Sequence, residues 1–385
     1  MTVLKSIKLT FFSLFFLFSL NSFSQFSKTH YIPPISTSGQ GSSSAEIQYL
    51  YVSTPNENPV NVVITPIGGT PLDVTVSNSA PYEYFMGDGN DTNFIALSGD
   101  SGQVYTNKGF IIEGEDLIYV SARLFTSDAY YQAAGLVSKG LAALGKTFRV
   151  GTFESVGNDP AGNFLNFVSV LATEDNTIVN FSDFPNGATI INNAATNDIL
   201  LNSGESYVIA IQPTSVNPDN DNAMIGVLVE SDKPIAVNSG SITGSNQNTD
   251  TDANGQDAGI DQIVPLERVG TEYIFVRGIG PDQIERPLIV AHEPDTEVYV
   301  NGTLEFTIAQ AGEHWSIPSS FYGVSYDQYQ VGPEIGESSN MYVQTSKPAF
   351  AYQFLGGIRP GVEGPFGTGT GVPNQGMFFV PPINC

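Results

Sequence analysis

Six consecutive residues, Asp250-Thr251-Asp252-Ala253-Asn254-Gly255, carry the sharpest chemical signal in the sequence. With Asp250 as the first position of a calcium loop, oxygen ligands fall at Asp250, Asp252 and Asn254. The glycine bend falls at Gly255 and a closing carboxylate at Asp261. A turn of oxygen donors with a glycine bend wraps a hard cation. The match is incomplete. The closing residue is Asp rather than a bidentate Glu, Asp257 stands where an apolar residue would brace the loop, and no helix flanks it. A solvated loop rich in Asn, Asp and Gly is the plainer reading. Asn217 to Asn222 (NPDNDN) is a fainter case of the same kind. No other cofactor is implied.

Other chemistries find less support. The chain has three histidines, His30, His292 and His314, and no Gly-x-Ser-x-Gly elbow. A nucleophilic triad needs a histidine within reach of both a nucleophile and an acid, and these three read as ordinary surface or hairpin residues. Gly367-Thr368-Gly369-Thr370-Gly371 lacks the Lys-Ser/Thr of a phosphate loop, and Pro281 breaks the glycine pattern at Gly278 and Gly280. With 39 acidic residues, no carboxylate pair can be singled out for glycoside hydrolysis. Trp315 is the only tryptophan, and its strand context favours a core role over a sugar platform.

The elements that must position such groups follow from composition. The chain has 385 residues, 41% hydrophobic, which is long for one core and suggests two or three packed units. Only 14% are charged, with polarity supplied by Asn, Ser, Thr and Gly, a mix that suits short strands and turns. The net charge of −25 repels nucleic-acid phosphates and anionic lipids, which excludes nucleic acid as the main partner. A single cysteine, Cys385, allows no internal disulfide and no Cys-based zinc site. Residues 1–24 read as a signal peptide: Lys5 and Lys8 precede an apolar stretch from Leu9 to Leu20, and Ser22 and Ser24 mark cleavage before Gln25. No transmembrane segment is expected in the mature chain.

A period of about 116 residues runs through the sequence. Ile32-Pro33-Pro34-Ile35 recurs as Val264-Pro265-Leu266 and as Val380-Pro381-Pro382-Ile383. Ser231-Asp232-Lys233-Pro234 parallels Thr345-Ser346-Lys347-Pro348, with Glu115-Asp116 as the first copy. Ala172 to Phe181 parallels Ala291 to Val300, and Gly204-Glu205 parallels Gly312-Glu313. We expect an all-β fold of three tandem related β-sandwich-like modules, at about 32–139, 140–263 and 264–380, with a β-propeller-like arrangement as the alternative. A short helix or two helical turns are expected within Asp128 to Leu144, where alanines favour helix and Gly135 and Gly140 oppose it.

Taken together, the phrases SKGLAALGKTFRV (138–150), FVSVLATEDNTIVNF (167–181), ESDKPIAVNSGS (230–241) and DQIVPLERVGTEYIFV (261–276) give the chain a recognisable character. The sequence, over residues 25–385, resembles the IgGFc-binding protein N-terminal domain family, in a bacterial secreted or surface form of flavobacterial type. The resemblance implies an adhesive or ligand-binding module and no catalytic residues. In such bacterial proteins further C-terminal modules commonly follow.

These features point to a secreted or cell-surface adhesive module, not an enzyme. Its ligand is a glycan, a glycoprotein or another surface protein. The rival is a secreted carbohydrate-active enzyme using paired carboxylates, which would need a deep pocket with convergent acids. Recurrence of the module-opening phrase at Val380 also predicts further modules beyond the sequence, with a disulfide mate there for Cys385. If Asp250, Asp252, Asn254 and Asp261 hold calcium, titration gives binding heat and a higher melting temperature; a flat titration removes the site.

Overall fold

The computed structural model describes residues 26–126, 132–154, 163–214, 216–246, 257–278, 280, 282–323, 339–356 and 375–383. The signal stretch, the calcium-loop residues 250–254, the Gly367–Gly371 loop and Cys385 lie outside the described residues. The fold is all-β, and the helical elements among the described residues are short 3-10 turns. None is long and apolar enough to cross a membrane.

Three antiparallel sheets share one plan, each built on a single long strand: Phe110–Phe125, Leu228–Gly244 or Asn340–Leu355. The first half of each long strand pairs with an opening strand, Ser27–Ile32, Gly145–Arg149 or Gly270–Val276. It also pairs there with Val60–Pro66, Thr177–Ser182 or Thr296–Val300. The second half pairs with Ile47–Ser53, Leu165–Ala172 or Leu288–Ala291. On that half's other side lies a closing strand, Ala134–Val137, Asp257–Ile263 or Gly376–Phe379. The second sheet gains an eighth strand, Val104–Tyr105, lent by the chain that builds the first.

The repeated phrases sit where the long strands change partners. Ser231 Oγ donates to the Lys233 carbonyl at 2.7 Å, and Thr345 Oγ1 donates to the Lys347 carbonyl at 2.7 Å. Lys233 Nζ reaches the Asp175 carbonyl and Lys347 Nζ the Pro294 carbonyl. A register shift occurs opposite this point in all three opening strands. Pro234 and Pro348 are tolerated inside long strands because the ladder is interrupted there. The hairpin turns match as well: Thr177 Oγ1 donates to the Glu174 carbonyl and Thr296 Oγ1 to the Glu293 carbonyl. The phrase at Ile32 differs in place. It follows an opening strand, whereas Val264-Pro265-Leu266 precedes one.

Each sheet curls, bringing its edge strands towards one another, and the next sheet's outer face fills its mouth. Leu50, Val52, Ile112 and Val120 of the first sheet form one core with Leu165, Phe167, Ile242 and Ile260 of the second. Val168, Val170 and Val237, on the opposite face of the second sheet, pack with Leu288, Val290, Phe350 and Phe354 of the third. The third sheet closes around Ile289, Ala291, Val298 and Ala351, with Trp315 and Phe321 packed against that cluster. Alternation places successive side chains on opposite faces, so the second sheet is buried on both along Leu165–Ala172.

The expectation of a short helix or two helical turns within Asp128 to Leu144 is met by one 3-10 turn among the described residues and is otherwise corrected. Ala134–Val137 is a strand paired with the end of the first long strand, and Gly140–Ala143 is a 3-10 turn. Strand pairing and burial of Leu136 in the first core override the helical preference of the alanines. Gly140 has a φ of 55°, and a Cβ there would fall 2.2 Å from Ser27 Cβ.

The closing strand of the second sheet ties all three sheets together. Asp261 Oδ2 accepts from Lys139 Nζ and from the Phe379 amide, both at 2.8 Å. Asp257 accepts from the backbone amides of Gln375 and Ala133, and burial pushes its carboxyl up to about 7. Nearby, His30 places Nδ1 3.0 Å from Ser138 Oγ and Nε2 3.0 Å from the Ile118 carbonyl. Burial depresses the His30 imidazole to about 4.

Two outcomes are expected. Phe167, fully buried between the first two sheets, costs about 3–5 kcal/mol when changed to Ala, read by urea unfolding. Asp257 binds its proton more tightly folded than unfolded, so its contribution to stability falls as pH rises from about 4 to 7. His30 has the opposite sign: its contribution is lost as pH falls from about 6.5 to 4. Asp257→Asn therefore gains stability relative to the parent chain on going from pH 5 to pH 8. A constant difference across that range refutes the assignment.

Candidate ligand-binding face

The outer face of the first sheet differs from its two counterparts. Ile47–Ser53 alternates: Gln48, Leu50 and Val52 point inward and are buried, while Tyr49 and Tyr51 point outward. Pairing sets Tyr49 beside Phe85 on one neighbouring strand and Arg123 on the other, and sets Tyr51 beside Glu83 and Ser121. Phe125 ends the same row opposite Ile47. Phe85 is 54% exposed and Phe125 is 40% exposed.

The aromatic rings form one connected group. Tyr49 lies 5.4 Å from Phe85, 5.9 Å from Phe125 and 6.0 Å from Tyr51, centroid to centroid, with ring planes inclined at 51°, 74° and 44°. Further along, Phe26 and Tyr119 approach to 5.9 Å. The Tyr51 phenol is held above its ordinary value by desolvation, reinforced by a hydrogen bond to the Glu83 carboxylate. Arg123 acts electrostatically on both Tyr51 and Tyr119. Its guanidinium lies beside Gly135 of the closing strand, Nη1 3.7 Å from where a Cβ would stand. Among the described residues Arg123 and Glu83 form no ion pair. The face thus combines flat apolar rings with one cation, one anion and phenolic hydroxyls, all on paired strands.

The residues singled out from sequence do not converge. Of the calcium set only Asp261 is described, and its two oxygens already accept from Lys139, Phe379 and the Gln262 amide. Among the described residues no cluster of three or more His, Cys, Asp or Glu could hold a metal ion. His30 is corrected from a surface position to a fully buried one. Its contact with Ser138 is a Ser–His pair, but its other nitrogen faces a backbone carbonyl rather than an acid. His314 Nε2 lies 3.3 Å from Glu154 Oε1. His292 is held below its ordinary value by burial, with Arg149 adding to the effect. Trp315 stacks on Phe306 at 5.1 Å while packing on the third core.

Two other features are structural in character. Glu285 is buried and accepts from Arg277 Nη1 at 3.1 Å and from the Gly278 and Gly280 amides at 2.6 Å. Burial raises its carboxyl and Arg277 opposes the shift. A groove of about 480 Å³ on the third sheet is lined by apolar residues such as Ile274, Val276, Leu355 and Phe378, and by no carboxylate.

A family model described as IgGFc binding protein matches residues 133–385. The chain belongs to the IgGFc-binding protein family. The matched span takes in the closing strand of the first sheet, the second sheet apart from Val104–Tyr105, and the whole of the third. The aromatic residues from Tyr49 to Phe125 precede it, so what they bind is not carried by the family match. No curated protein matches the chain. Among solved structures, the alpha-L-rhamnosidase of Streptomyces avermitilis complexed with L-rhamnose shows 8% identity and a TM-score of 0.10, over 86% of this chain and 46% of its own. This chain spans less than half of that enzyme, and the likeness carries no argument.

The outward aromatics contribute little to folding if their role is to meet a ligand. Tyr49→Ala and Phe85→Ala should each change stability by less than about 1.5 kcal/mol in thermal melts, against the larger loss for Phe167→Ala. A loss as large as that of Phe167→Ala assigns these rings to the core instead.

Proposed function

We propose that this chain is a secreted or cell-surface, non-catalytic binding module of three tandem units. Its ligand is a glycan, a glycoprotein or another surface protein. One observation carries the reading: around Leu165–Ala172 and Leu288–Ala291 the outer faces of the second and third sheets are buried by a neighbouring sheet, while the matching part of the first, around Ile47–Ser53, is open and aromatic. Rigid exposed aromatics with polar tips supply much contact area for little loss of conformational freedom. The family description names IgG Fc, which makes a surface glycoprotein a natural class of partner. The buried acids support a non-catalytic role, because Asp257, Asp261 and Glu285 are each held by backbone amides or a paired cation. The N-terminal stretch supports secretion.

The test uses the labelled full chain on an array of mucins, immunoglobulin G and glycans. The parent chain is retained on at least one class. The double variant Tyr49→Ala/Phe85→Ala is not, although its melting curve stays close to that of the parent. Equal retention of both chains refutes the assignment of binding to this face.

A further inference from the structure

The open face has a composition that selects among ligands, and the following step rests on reading it as a ligand surface. We propose that the outer face of the first sheet binds neutral pyranose glycans, with sugar rings stacked on Tyr49, Phe85 and Phe125 and their hydroxyls held by Tyr51, Glu83 and Arg123.

The molecule contains its own comparison. Where another sheet covers an outer face, that face carries Leu165, Phe167 and Ile242, or Leu288, Val290, Phe350 and Phe354. The covered strands Leu165–Ala172 and Leu288–Ala291 contain no charged residue. The first sheet presents Arg123 on its long strand and Glu83 on the edge strand Tyr82–Gly87 instead, flanking the uncharged Ile47–Ser53. A protein sheet lying on it would strip water from both charges, at a cost that their separation on the face does not recover. The face is therefore unlike one made for a further sheet or for a second copy of this chain.

Carbohydrate meets the same features favourably. A pyranose has an apolar side of axial C–H groups, whose partial positive charge suits the negative face of an aromatic ring. Its rim of hydroxyls both donates and accepts. Arg123 supplies donors, Glu83 acceptors, and the Tyr51 hydroxyl bridges to Glu83. The ring planes around Tyr49 are mutually inclined at 44° to 74°, so the surface is faceted. It suits successive puckered rings better than one extended planar ligand. Charge sets the last limit. Around the rings the face carries one charge of each sign, Glu113 and Asp73 add negative charge further along it, and the chain's net charge of −25 disfavours sulfated or uronate-rich polymers.

Isothermal titration of the full chain with linear oligosaccharides of glucose, N-acetylglucosamine, mannose and xylose tests this, with polygalacturonate as the anionic comparison. At least one neutral oligomer binds and polygalacturonate does not. Tyr49→Ala and Phe85→Ala each weaken binding at least tenfold, about 1.4 kcal/mol. Leu304→Ala, an exposed change on the third sheet, leaves it unchanged. The proposal is overturned if none of the neutral oligomers binds, or if binding survives both aromatic substitutions. Retention on an enzymatically deglycosylated surface protein separates the two levels of the argument. Retention that is lost in Tyr49→Ala, without oligosaccharide binding, assigns the face to protein: the glycan inference fails and the ligand face stands. Retention and sugar binding that both survive the substitution remove the two together.

Discussion

Every residue of Leu165–Ala172 is buried, and the architecture follows from that constraint. A strand at the centre of a sheet has two faces, and this one is apolar on both. One face must enter the mouth of the first sheet and the other must line the mouth of its own. The three sheets are thereby fixed in series, each half-barrel closed by the back of the next. The closing strand Asp257–Ile263 then becomes the place where all three meet. Its polar side chains are satisfied by backbone amides of the first and third sheets and by Lys139, because an unpaired carboxylate at such depth would be costly.

Much of this order was legible in the sequence. The Lys-Pro phrases and the Thr-containing turns fall at matching places in the second and third sheets, with matching hydrogen bonds at Thr177 and Thr296. Sequence reasoning failed where tertiary context outweighs local preference. Alanines between Asp128 and Leu144 suggested a helix, but the free edge of the first long strand recruits Ala134–Val137 as a strand. His30 looked like a surface residue near the mature N-terminus, but the opening strand carries it beneath the Gly140 turn, against Ser138 and the Ile118 carbonyl. Pro234 and Pro348 lie at mid-strand, where a change of partner frees them from the ladder.

The candidate face was missed for a different reason. A search for chemistry looks to His, Cys, Asp and Glu, while Tyr49, Tyr51, Phe85 and Phe125 are residue types found in any β core. The usable signal was alternation: in IQYLYVS the buried Leu50 and Val52 occupy one parity and the two tyrosines the other. The strand Leu165–Ala172 reads instead as a nearly continuous apolar run, with Asn166 and Ser169 as its polar members. The contrast between the alternating first copy and the continuous second copy encodes which sheet back is open and which is covered. Reading it requires knowing that the strands are equivalent, and only the pairing pattern of the long strands establishes that.

An open aromatic face is a liability for a soluble protein, because contiguous exposed apolar surface promotes association. Several features here limit that liability without covering the face. Arg123 and Glu83 interrupt the aromatic rings with charges that keep water close and make burial by another sheet unfavourable. The net charge of −25 keeps copies of the chain apart at long range. Such protections are unnecessary for a face that folding buries, and the equivalent strands of the second and third sheets lack the charges. Selection for folding alone would have given the first sheet either a cover or a polar exterior. Retaining rings, hydroxyls and opposed charges on rigid paired strands is what contact with a hydroxyl-rich ligand requires.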